Sequence, residues 1–193
     1  MAFRKTRPAS LAYFYFDFRD EDKQNVRNFV TSLLVQLSAH SNSCCDILSR
    51  VYSEHGNGAQ QPSNGVLTSC LKKMLTVAAE HPVYIIVDAL DECPDSSGMP
   101  TQREAVLDLV EVLVRQHLPN LHICVTSRPE IDIKTRLEPL ASTAVSLHDE
   151  SGQKKYISDY MSSVMYSDRK LQRLRDEDKK LAVELLSERA DGM

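Results

Sequence analysis

The chain contains no Trp, and aromatic residues make up only 6% of its 193 positions. So few flat side chains leave no stacking platform for single-stranded nucleic acid. There is no basic block either: 23 Lys and Arg against 27 Asp and Glu give a formal charge of -4, and phosphate neutralisation needs clustered cations. No stretch approaches the roughly 18 apolar residues of a membrane span. No C-x-x-C occurs, and the five cysteines (Cys44, Cys45, Cys70, Cys93, Cys124) are odd in number with two adjacent. That pattern argues against a disulfide framework or zinc site and suits a reducing cytoplasm. Cys70 and Cys124 read as buried soft apolar side chains. Met1 to Ser10 is basic, but the run after it is short, aromatic and without a small-residue cleavage site, so no secretory signal is read there. What is present is ordinary globular material, 42% hydrophobic and 26% charged, which rules out a disordered or collagen-like chain. The length suits one domain with a partial second.

β-like and α-like patterns alternate along the chain. Leu11–Phe18 is an aromatic-rich strand candidate. Val26, Phe29, Val30, Leu33, Leu34 and Leu37 make one helical stripe, with Asp20 and Asp22 placed as N-terminal anions. A Ser/Cys break at Ser41–Cys45 precedes a short helix, Asp46–Tyr52, and His55–Gly65 is a loop. Leu67, Cys70, Leu71, Met74, Leu75 and Ala78 form a second stripe. Val83–Val87 is apolar on both faces, which indicates a buried parallel strand. Val106, Leu109, Val110 and Leu113 form a third stripe. Leu121–Thr126 is another buried-type strand, Ile133–Leu137 a short helix and Thr143–Leu147 a weaker strand. Tyr156, Ile157, Tyr160, Met161 and Val164 mark a fourth helix. Leu171–Arg189 is a charged helix with Leu171, Leu174, Leu181 and Leu185 as its buried face. Strands separated by helices predict a mainly parallel α/β sheet with helices on both faces.

Ligand sites in such sheets lie beyond the carboxyl ends of the strands, and two polar clusters fall there. Val83–Val87 delivers Asp88 to a strand tip, followed by Ala89, Leu90, Asp91 and Glu92. A rigid strand can hold one anion beside a hydrated Mg²⁺, and the trailing carboxylates could polarise water. The plainer alternative is an acidic turn solvating the sheet edge. The second cluster is Thr126, Ser127, Arg128 and Pro129. Its hydroxyls could bond a phosphate, and Arg128 could sense one by a bidentate contact. The alternative there is a loop arginine paired with a nearby acid, such as Glu130.

Leu11–Asp17, Val83–Cys93, Ile123–Pro129 and Ala190–Met193 together resemble the NACHT branch of the STAND P-loop NTPases, in particular the fungal, nephrocystin-like N-terminal domains. The resemblance covers residues 11 to 193. It implies a three-layer P-loop NTPase-like parallel sheet, with residues 11–150 a partial nucleotide-binding core and 151–193 the start of a helical region. It implies Asp88 as Mg²⁺ ligand, Asp91 and Glu92 as the acidic pair near the catalytic water, and Thr126, Ser127 and Arg128 in the sensor position. It also implies Mg²⁺ with ATP or GTP as cofactor, and self-association and an effector domain as partners.

One element of the pattern is absent. A P-loop reads G-x-x-x-x-G-K-[ST], and none of the six glycines (Gly56, Gly58, Gly65, Gly98, Gly152, Gly192) precedes a Lys. The chain is expected to begin after the P-loop strand, with residues 1–10 a disordered or artefactual leader, and to stop short of the family's repeats. In the family that strand lies between the segments matching Leu121–Thr126 and Thr143–Leu147, so an exposed sheet edge is expected between them. No nucleotide is expected to bind the chain alone. Two rival functions remain: a non-enzymatic interaction scaffold, and another Mg²⁺-dependent enzyme, such as a nuclease using Asp88, Asp91 and Glu92. The acidic balance weighs against the nuclease.

Overall fold

The computed structural model describes residues 9–78, 81–96, 98–146, 151–168, 170–171 and 173–189. The expected leader lies almost wholly outside these residues, and Ala190–Met193 lies entirely outside. Two compact units, Met1–Ala141 and Ser142–Met193, are described separately.

In the first unit the elements run β1 (Ser10–Tyr15), α1 (Val26–His40), α2 (Asn42–Glu54), α3 (Asn64–Ala78), β2 (Val83–Asp88), α4 (Gln102–Arg115), β3 (Leu121–Val125) and α5 (Ile131–Leu137). The three strands form one parallel sheet with β2 in the centre. Its register aligns Ala12 with Ile85 and Ile123, and Phe14 with Val87 and Val125. Those residues point into a core built with Phe29, Leu33 and Leu37 of α1, Leu71 and Met74 of α3, and Val106 and Leu113 of α4. The aromatic contacts at its centre are edge-on, Phe14 to Phe16 at 5.0 Å and Phe14 to Phe29 at 5.5 Å between ring centroids.

The opposite face of the sheet carries Leu11, Tyr13, Tyr15, Tyr84, His122 and Cys124, all exposed. Among the described residues no helix of this unit packs on it, so these residues form two layers rather than the expected three. The strand order supplies the reason. Each crossover steps in the same direction, β1 to β2 to β3, and right-handed crossovers then place every connecting helix on one face. Cys124, expected in the core, is exposed on this open face, whereas Cys70 is buried as expected.

The two sheet edges differ. At β1 the side-chain amide of Gln36 accepts from Tyr13 N–H at 3.0 Å and donates to Tyr13 C=O at 2.7 Å, imitating a neighbouring strand. At β3, Thr126 N–H donates to Val87 C=O and Val83 N–H to Asn120 C=O. The alternation of a strand therefore aims the backbone groups of Ile123 and Val125 outward, and among the described residues nothing reaches them. Leu121–Thr126 is thus half-exposed edge rather than fully buried strand.

Several local expectations shift. Asp20 caps a single 3₁₀ turn, Glu21–Lys23, and Asn25 is the cap of α1. Ser41 both ends α1 and caps α2, so the expected break is confined to that one extended residue and Asn42–Cys45 is already the first turn of α2; side-chain oxygens at that position satisfy free helix N–H groups. The strand expected at Thr143–Leu147 does not form over residues 143–146, which are exposed and in no regular element; Leu147 lies outside the described residues. An isolated extended segment has no ladder partner to offset its ordering cost.

The second unit is a helical pair, α6 (Ser151–Ser167) and α7 (Asp176–Arg189). Among the described side chains of α7, Lys179 and Val183 are buried and Leu181 and Leu185 exposed, contrary to the expected leucine face; Leu171, half-buried, and Leu174, exposed, precede the helix. Lys179 and Val183 sit four apart on one stripe. The Lys179 ammonium lies 5.1 Å from the Tyr166 ring centroid and 3.4 Å from Asp176. A long aliphatic stem thus fills an apolar position while its charge stays paired.

Candidate functional site

The carboxyl ends of the three strands converge on one side of the sheet. Asp88, the last residue of β2, is exposed at its tip. Ala89 follows in the left-handed region at φ 52, a conformation a small residue tolerates best. The Thr126 hydroxyl accepts from Ala89 N–H at 3.1 Å and donates to the Asp88 carboxylate. Leu90 N–H donates to Thr126 C=O at 3.0 Å. The tips of β2 and β3 are therefore sewn together by one threonine.

The acidic turn divides its carboxylates between two neighbours. Asp91 is nearly buried, with a side chain 10% exposed, and lies 3.5 Å from the Arg128 Nε. It also accepts from Arg128 N–H at 3.0 Å. Arg128 is thus paired across the strand ends with Asp91, not with Glu130. Its own side chain remains 77% exposed. Glu92 turns the other way and accepts from Phe18 N–H, beyond β1, at 3.1 Å. Ser127 bonds back to Arg128 C=O at 2.8 Å and stays within its loop. The structure therefore brings Asp88 to Thr126 and Asp91 to Arg128, sends Glu92 to the β1 loop, and leaves Ser127 to itself.

Two features escaped sequence reading. Asp17 and Arg19 form a bidentate pair at 2.9 and 3.0 Å beside the same strand ends. The side-chain bond from Arg19 pulls the Asp17 carboxyl down to about 2. Arg103, from the first turn of α4, reaches under the acidic turn to Asp91 C=O at 2.6 Å and Cys93 C=O at 2.9 Å. An acid and base two residues apart in a polar loop, and a lone arginine at a helix start, carry no periodic signal. Among the described residues no group of three or more His, Cys, Asp or Glu is placed to hold a metal ion, and no helix is long and apolar enough to cross a membrane.

Cys93 lies beneath the turn, and burial pushes its thiol up to about 12. Thiolate is the reactive form. In the native protein, Cys45 and Cys124, both exposed, are expected to be alkylated first, while Cys44, Cys70 and Cys93 stay protected. Timed iodoacetamide labelling with peptide mass mapping checks this order.

A family model described as Nephrocystin 3, N-terminal, matches residues 2–128, which takes in the whole sheet, the acidic cluster and Thr126, Ser127 and Arg128 of the second cluster. No curated protein and no solved structure matches the chain. The chain belongs to the nephrocystin-3 N-terminal family.

Proposed function

We propose that this member of the family is the Walker B and sensor half of a nucleotide-controlled signalling switch of the NACHT type, and that it binds no nucleotide by itself. The observation that carries the reading is the hydroxyl bridge from Thr126 to Asp88, which joins an acidic strand tip to a neighbouring loop bearing Arg128. Mg²⁺ commonly takes one or two protein carboxylates and completes its shell with water and phosphate oxygens. Asp88, exposed with a second oxygen free of partners among the described residues, fits such a single-carboxylate ligand. Thr126, Ser127 and Arg128 would face the terminal phosphate, and Asp91 and Glu92 would form the acidic pair near the attacking water. A bound Mg²⁺-nucleotide would supply the charge that this cluster reads.

The residues do not fit the other half of such a site. A triphosphate is cradled by backbone amides of a glycine-rich turn and its Lys, and no glycine of this chain precedes a Lys. The open β3 edge and the uncovered face of the sheet support a cradle strand and helix supplied from outside these residues. A cytoplasmic setting, self-association and an attached effector domain belong to the same reading.

A second reading, a non-enzymatic scaffold, is favoured by one observation. Asp91 is engaged with Arg128 and Glu92 with Phe18 N–H, so the two carboxylates are directed to different loops rather than gathered at one point.

Fluorescent-nucleotide titration with and without EDTA tests the proposal. The 193-residue chain is expected to show no binding in the micromolar range. An extended chain carrying a strand and G-x-x-x-x-G-K-[ST] ahead of β1 should bind in a Mg²⁺-dependent way. Asp88→Ala in that extended chain should weaken binding at least about tenfold, about 1.4 kcal/mol. Tight Mg²⁺-dependent ATP binding by the short chain would overturn the proposal.

A further inference from the structure

The turn at Ala89–Cys93 is a single 3₁₀ turn with two internal bonds, Glu92 N–H to Ala89 C=O at 2.9 Å and Cys93 N–H to Leu90 C=O at 3.1 Å. It contains one left-handed residue and two carboxylates pulled toward different loops. Thr126 ties its first residues to β3, and Arg103 holds its far end from α4. The root of that side chain is fixed by a capping box at the start of α4: Thr101 Oγ1 accepts from Glu104 N–H at 3.2 Å, and Glu104 accepts from Thr101 N–H at 2.8 Å. Arg103 N–H itself donates to Pro94 C=O at 3.1 Å.

From this anchored root the guanidinium, only 12% exposed, spreads its donors over three segments. Nε meets Cys93 C=O and Nη2 meets Asp91 C=O. Nη1 lies 3.4 Å from Asp132, in the first turn of α5, and 4.0 Å from Asp95. Those two carboxylates offset the charge of a largely buried cation, as burial demands. Beyond the Thr126 bonds, the segment after β2 and the segment after β3 are thereby linked directly by Asp91 and Arg128 and indirectly through Arg103 and Asp132.

We propose that Arg103 is the positioning residue of this site: by holding the carbonyls of Asp91 and Cys93 it fixes the turn from which the Asp91 carboxylate reaches Arg128 and the Glu92 carboxylate reaches Phe18. The inference rests on the proposed function only in naming that turn a nucleotide-sensing site. Arg103 touches neither Arg128 N–H nor Phe18 N–H, so an effect on those amides must travel through the turn. A planar fork with fixed donors suits two carbonyls and a carboxylate at once; a lysine ammonium carries the same charge as a single point.

Hydrogen exchange of the native protein, followed amide by amide by NMR, tests this in Arg103→Met and Arg103→Lys. In Arg103→Met the Arg128 and Phe18 amides are expected to exchange about tenfold faster, as in a local opening, and Cys93 to be alkylated faster. The Tyr13 amide, held by Gln36 on the far edge of β1, should keep its rate. Arg103→Lys should recover only part of the protection, and it remains informative if the Met variant does not fold. A uniform acceleration that includes Tyr13 would overturn the proposal, because Arg103 would then serve global stability alone. Unchanged Arg128 and Phe18 amides would overturn it, as would full recovery in Arg103→Lys. Nucleotide titration does not enter this measurement, so failure of the proposed function leaves its outcome readable.

Discussion

Phe29→Ala is expected to destabilise the Met1–Ala141 unit by about 3–5 kcal/mol, the range for truncating a buried phenylalanine. Phe29 is fully buried, and its ring lies 5.5 Å from Phe14 and 6.0 Å from Phe16. It is the α1 residue whose ring meets the Phe14 and Phe16 rings of the β1 segment. Removing the ring takes away its transfer free energy and two aromatic contacts worth roughly 0.5–1.5 kcal/mol each, and the flanking Leu33 and Val30 are themselves buried and cannot swing in to fill the space. Domains of this size hold about 5–15 kcal/mol in total. A sheet with one face uncovered belongs near the lower end of that range, so a sizeable unfolded population should appear at room temperature. Urea melts followed by far-UV circular dichroism should show the midpoint falling by roughly 2 M, taking a slope of about 2 kcal/mol/M. Tyr52→Ala, at an exposed position of α2, should shift stability by no more than about 0.5 kcal/mol. Equal losses at the two sites would refute this account of the core.

How far the sequence reveals this molecule depends on the signal each part carries. The helical stripes of α1, α3 and α4 were legible because apolar residues recur at a 3.6-residue period and face one core; Phe29, Leu71 and Val106 are all buried as that spacing demands. The α7 stripe was misread because leucine count stood in for packing. A lysine stem won the buried position at 179, since its charge finds Asp176 and the Tyr166 ring. The strand ends were legible as clusters, because apolar runs terminating in Asp88 and Thr126 leave polar residues at the tips. Their pairings were not. Asp91 chose Arg128, 37 positions away, over sequence-adjacent partners, and nothing in local spacing encodes a contact made across two strands. Cys124 was assigned to the core because β3 reads as a run apolar on both faces. That pattern describes what the strand can bury, and among the described residues of this unit helices cover one face of the sheet and not the one Cys124 occupies. Arg103 shows the same limit from the other side: its partners are backbone carbonyls, which every residue has.

The uncovered face and the open β3 edge together lead to the last expected result, that the 193-residue chain self-associates as its concentration rises. Parallel sheets are ordinarily buried on both faces, yet Tyr13, Tyr15 and Tyr84 are 54%, 45% and 43% exposed here. Each such ring offers roughly 100 Å² for burial, about 2 kcal/mol or more apiece at the usual area coefficient. The adjoining edge offers the outward backbone groups of Ile123 and Val125. Natural edges are guarded by charge, Pro or a covering side chain. The β1 edge has Gln36 in that role, whereas Leu121–Val125 contains no Lys, Arg or Pro. Cys124→Lys places a charge on the open face of the edge strand without entering the core, so its cost in folding stability should stay within about 0.5 kcal/mol. Sedimentation velocity across a hundredfold concentration range should show the parent chain associating and Cys124→Lys associating at least about tenfold more weakly. Val35→Lys, at a 61% exposed position of α1, makes the same change in net charge away from the sheet and should behave like the parent. A parent chain that stays monomeric throughout would sink the expectation, and equal effects of the two lysines would reduce it to net charge.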